Sequence, residues 1–100
     1  MPRDLYRYVI DDEICIRDAE KALRLARLVA EILHGEVSVS VDAYSDFDPL
    51  WRVCVIDAGT PVGRDLNRLF AGFLLKGLGQ HSLNVCRIPE SEFQPTEFVL

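Results

Sequence analysis

WRVCVIDAGTPVGRDLNRLFAGFLLKGLG, residues Trp51 to Gly79, reads as a buried strand feeding a helix through a tight turn. Trp51, Val53 and Val55 alternate with Arg52, Cys54 and Ile56. A strand apolar on both sides belongs in the middle of a sheet, where both faces are covered. Asp57 ends the apolar run, and Ala58-Gly59 turns the chain. Thr60-Pro61 then matches a helix N-cap followed by proline at the first helical position, where a missing N–H costs nothing. Leu66, Leu69, Phe70, Phe73 and Leu74 recur at helical spacing to about Leu78, and Gly77 and Gly79 mark the end.

Upstream, Val37, Val39 and Val41 alternate with Glu36, Ser38, Ser40 and Asp42. Period two predicts a half-buried strand with one polar face. Ala43 to Pro49 then forms a turn. Before it, Asp18 suits a helix N-cap, and Ala19, Ala22, Leu23, Ala26, Ala30 and Leu33 follow as an apolar stripe. Glu20, Arg24, Arg27 and Glu31 mark the wet side, and His34-Gly35 closes the helix. Leu5–Ile10 reads as the first strand and Leu83–Ile88 as the last, stopped by Pro89.

The resulting order is β-α-β-β-α-β. It predicts an α+β, ferredoxin-like two-layer sandwich with an antiparallel sheet in order 4-1-3-2. A further short strand is possible at Ile14–Ile16 or in the C-terminal tail. Residues 1–88 are expected to form a single domain. Residues 89–100 form an extension, whose Phe93, Phe98, Val99 and Leu100 suit packing on the domain or on a partner.

Composition narrows the function classes. The chain has 100 residues and a net charge of −5. Residues 1–50 carry eleven acids against six bases, while residues 51–100 carry five of each. No Lys/Arg cluster can neutralise several phosphates, which argues against a nucleic acid partner. No stretch approaches the length of a membrane span, and Met1-Pro2-Arg3-Asp4 lacks the apolar segment of a signal peptide. The expected compartment is the cytoplasm. Cys15, Cys54 and Cys86 lie in apolar runs without metal or disulfide spacing, as expected of buried, reduced thiols. No cofactor, metal set or catalytic triad is legible.

The expected topology gathers Asp11, Asp12 and Glu13 with Asp42, Asp46 and Asp48 at one end of the sheet. Such a rim suits solvent, a basic protein partner or, with no fixed ligand spacing to support it, a hard cation. At the other end, Asp57, Gly59, Thr60 and Gly63 form the one turn suited to an anion or metabolite. This turn lacks the Gly-Lys-Ser/Thr ending of a phosphate loop. The third strand supplies either Trp51, Val53 and Val55 or Arg52, Cys54 and Ile56 to an open sheet face, which Tyr6 or Tyr8 joins from the first strand. Ala71, Gly72 and Leu75 widen the apolar side of the second helix. Homodimerisation through either surface is expected.

VCVIDAGTPVGRDLNRLFAGFLLKGLG, residues 53–79, resembles the core of STAS-type domains, in which an apolar strand ending in Asp leads through a short turn into a helix. That resemblance implies a phosphate-accepting serine near the helix start. Only Thr60 stands in that region here, and the VSVSV–WRVCV hairpin departs from the topology. The chain therefore points to a small, acidic protein-interaction or regulatory module, homodimeric and without catalytic activity. The alternative is a small enzyme or anion-binding domain using Asp57 and the Gly59–Gly63 turn.

Overall fold

The computed structural model describes residues 3–78 and 83–88. Seven elements follow in chain order: β1 (Leu5–Ile10), α1 (Ile16–His34), α2 (Glu36–Asp42), β2 (Ser45–Asp48), β3 (Val53–Asp57), α3 (Pro61–Leu78) and β4 (Leu83–Ile88). The fold is α+β. Its four strands form a sheet in order β2-β3-β1-β4, with every neighbouring pair antiparallel. Read from the other edge this is 4-1-3-2, the expected order, with β3 in the interior as its two apolar faces require.

One core ties the layers together. Tyr8 and Ile10 of β1 and Cys54 and Ile56 of β3 share a sheet face. Against that face pack Ala19, Leu23, Ala26 and Ala30 of α1 and Leu66, Phe70 and Leu74 of α3. Alanines at the α1 contact let that helix approach closely. Tyr8 anchors the centre: its ring meets Phe70 edge-on at 4.9 Å, and its hydroxyl donates to Asn67 Oδ1 at 2.5 Å. A buried phenol needs such an acceptor, because an unpaired hydroxyl costs about 1–3 kcal/mol.

The strand expected at Val37–Val41 is a helix. Gly35, at φ 91°, ends α1 in a conformation that favours glycine, and α2 starts at the next residue. The helix puts Val39 into the core and leaves Val37 and Val41 exposed on its other side, at 77% and 75%. The place beside β3 is taken instead by Ser45–Asp48, within the segment expected to be a turn. The reason is proximity along the chain. Asp48 pairs with Val53 across a four-residue connection, so the hairpin closes at low entropic cost. Asp48 Oδ1 accepts from the amides of Leu50 and Trp51, which sets the turn.

Other boundaries also shift. Helix α1 begins at Ile16, with Cys15 as its N-cap, so Asp18 lies inside the first turn rather than capping it. Ile14–Ile16 forms no strand: Ile14 lies in a bend, packed into the core, and Ile16 opens the helix. The tail expectation falls outside the described residues.

Arg52 secures the loop between β1 and α1. It adopts a positive φ of 57°, unusual for a residue with a side chain. Its backbone carbonyl accepts from Ile10 N at 2.9 Å. Its guanidinium donates to the carbonyls of Ile10, Asp11 and Ile14 and lies 3.6 Å from the Asp12 carboxylate.

Candidate functional site

The turn after β3 is built as its sequence implies. Thr60 Oγ1 accepts from Gly63 N at 2.9 Å, and Thr60 O accepts from Arg64 N at 2.8 Å, which caps α3. The same hydroxyl donates to Asp42 O at 2.5 Å. Asp57 Oδ1 accepts from the amides of Asp4 at 3.0 Å and Gly59 at 2.9 Å, and Arg3 Nε lies 3.9 Å from Oδ2. Gly63 is required for packing: a Cβ there would sit 2.1 Å from the Asp57 carbonyl oxygen. The structure thus brings Asp57, Gly59, Thr60 and Gly63 together, and they bond one another and neighbouring backbone.

The acidic rim forms only in part: Asp11, Asp12 and Glu13 follow β1 at the end where Asp48 pairs with Val53, but Asp42 and Asp46 do not join them. Asp42 ends α2 beside Thr60, at the Asp57 end of the sheet. Asp48 lies at the opposite end, level with Val53, and Asp46 lies mid-strand opposite Val55. The helical course of 36–42 causes this separation, because it keeps the chain at the end where α1 leaves it and β2 then starts. Among the described residues, no group of three or more His, Cys, Asp or Glu could hold a metal ion. Trp51 is 74% exposed beside the exposed Leu50 at the hairpin tip. Phe93 and Phe98 fall outside the described residues.

The sheet face away from the helices is only partly open. Strand alternation and register place Leu5, Arg7 and Val9 there with Val53, Val55 and Asp57. Leu5 and Val55 are buried, while Val9 is exposed. Neither tyrosine stands on this face: Tyr8 is in the helix-side core and Tyr6 packs against it.

The thiols divide. Cys54 is buried in the core. Burial, with a smaller contribution from the Asp46 carboxylate, pushes it up to about 12. Cys15 and Cys86 are exposed, contrary to their apolar sequence surroundings. Residues 31 apart in sequence also meet: His34 Nε2 lies 2.7 Å from Asp65 Oδ2, clamping the end of α1 to the first turns of α3.

Among the described residues, a run of exposed aliphatic side chains lies on α1 and α2. Leu25, Leu28, Ile32 and Leu33 are exposed on α1, and Val37 and Val41 on α2. Leu25, Leu28 and Ile32 recur at spacings of three and four, so they form an outward stripe. It lies roughly opposite the buried Ala19, Leu23, Ala26 and Ala30. Reading Glu20, Arg24, Arg27 and Glu31 as the outer side misses this stripe, although the spacing of 25, 28 and 32 signals it. Next to the stripe a groove of about 520 Å³ separates α1 from the end of α3. Ala22, Leu25 and Phe73 line it, with Lys21 and Lys76 among the lining residues.

None of the described helices is long and apolar enough to cross a membrane. The chain matches no family model, no curated protein and no solved structure, so the STAS-type likeness of residues 53–79 rests on those residues alone.

Proposed function

We propose that the protein is a small interaction module that associates with a copy of itself through the outward sides of α1 and α2. Its scaffold is read as a ferredoxin-like sandwich with α2 added after the first helix. The observation that carries this reading is the set of six exposed aliphatic side chains from Leu25 to Val41. Single exposed leucines are ordinary, but a run of them on adjoining helices is the signature of a surface that another protein covers. The separation of Asp42 from Asp48 weakens the case for a basic partner on one acidic patch. The anion-binding alternative lacks comparable support, since Asp57 Oδ1 already accepts two amides and Thr60 caps α3.

Light scattering on the full chain tests the reading. The mass is expected to rise toward that of two chains between about 5 and 500 µM, the range of a small interface. Ile32→Ser with Val37→Ser should shift the transition to higher concentration by at least about tenfold, since each removes an apolar anchor. A one-chain mass throughout, or an unchanged transition in the variant, would overturn it.

A further inference from the structure

The α1 stripe has a charge pattern that selects its occupant. Leu25 and Ile32 take one heptad position and Leu28 the other core position, so a partner helix can seat along them. Arg24 and Glu31 then fall on the same flanking position, each about one turn from Leu28 on opposite sides of it. Arg17 and Lys21 continue the basic half toward the start of α1, and Glu36 continues the acidic half at the start of α2. This polarity runs against the helix dipole, which favours acids early and bases late, so α1 alone gains nothing from it. Glu31 has no ion pair among the described residues, and Arg24 is held only by Glu20 at 3.3 Å, with a largely exposed side chain.

An antiparallel second copy of the same helix reverses that polarity. We infer that α1 pairs with α1 of a second copy, antiparallel about a two-fold axis near residues 26 and 27. Leu25 packs on Leu28 of the partner subunit, and Arg24 meets Glu31 of the partner subunit. The inference rests on the interaction-module reading above and specifies its geometry. Because the axis is two-fold, each contact occurs twice, so one self-complementary stripe supplies both sides. Lys21 comes level with Ile32 of the partner subunit, where its methylene stem covers the side chain while the ammonium reaches water. Asp18 comes level with the partner subunit's Gly35, so no like charges face each other. A parallel pairing would set Arg24 beside Val29 of the partner subunit, so Arg24 would gain no opposite charge across the seam. Three partly exposed aliphatic side chains make a seam smaller than the ~800 Å² per partner of a standard interface. The dimer is therefore expected to dissociate in the micromolar range, about 10 µM, and to weaken with salt.

Sedimentation equilibrium on the full chain tests this with Arg24→Glu, Glu31→Arg and the double swap. All are exposed or half-exposed positions, and far-ultraviolet circular dichroism verifies the fold. Each single swap creates two like-charge contacts and is expected to weaken the dimer about tenfold, and the double swap to restore it to within about threefold. Leu28→Ser is expected to abolish dimerisation at concentrations where the wild type is fully paired. A dimer insensitive to the swaps and to Leu28→Ser would overturn this geometry while leaving self-association intact. A dimer that Leu28→Ser abolishes but the double swap fails to restore would overturn the antiparallel register. A chain monomeric at all concentrations would overturn both this inference and the reading it rests on.

Discussion

Gly63 shows how one atom decides the turn after β3. The first turn of α3 passes so close to β3 that a Cβ at Gly63 would lie 2.1 Å from the Asp57 carbonyl oxygen. Backbone cannot yield as a flexible side chain does, so Gly63→Ala is expected to cost about 3 kcal/mol, at the upper end for overpacking. Urea unfolding monitored by circular dichroism checks it; a loss below about 1 kcal/mol would show that α3 can shift away. Tyr8 and Cys54 are expected to weaken the fold at alkaline pH. Burial is the main cause that raises both, with Cys54 and Tyr6 adding at Tyr8 and Asp46 adding at Cys54. The folded state therefore keeps both protons where the unfolded chain has begun to lose them. Their stabilising effect is complete below the unfolded values of 9.0 for the thiol and 10.0 for the phenol, and fades as pH rises beyond them. The denaturation midpoint is expected to fall between pH 9 and 12, and Cys54→Ala should flatten the lower part of that decline. An unchanged slope in the variant would remove Cys54 as its source.

At the scale of elements, α2 is where local pattern and tertiary demand part. Glu36–Asp42 alternates as a strand should, yet only one of its three valines is buried. In a strand, Val37, Val39 and Val41 would be equivalent; in the helix they are not. Val39→Asp is expected to cost at least about 3 kcal/mol by burying a charge, while Val37→Asp should stay within about 0.5 kcal/mol. Thermal unfolding of the two variants measures the difference, and equal losses would restore the strand assignment. Arg52 and the His34–Asp65 contact act at the same scale. One ties the β1–α1 loop to the hairpin, and the other ties α1 to α3. Neither is visible in sequence, because each joins positions 30 to 40 residues apart or more.

Over the whole molecule, the net charge of −5 conceals an uneven surface. The expected acidic end depended on 36–42 running as a strand; once it coils, Asp42 and Asp48 lie at opposite ends of the sheet. The proposed association uses apolar surface on α1 and α2, with charges arranged along it. Both apolar stripes of α1 are legible in spacing, but only burial tells which one faces the core. The strand–turn–helix was legible apart from its start, which the apolar run put at Trp51 and the structure puts at Val53, because its signals are local: an apolar run, a Thr-Pro cap and a 3.6-residue period. Helix α1 and the first and last strands, β1 and β4, followed from the same kind of signal. Tertiary structure alone decided that Glu36–Asp42 coils while Ser45–Asp48 pairs, which thiol is buried, and where each carboxylate stands. Period and capping are properties of a few consecutive residues. The edge of a sheet goes to whichever segment closes the cheaper loop and leaves the better side chain for the core, and that comparison exists only once the chain is folded.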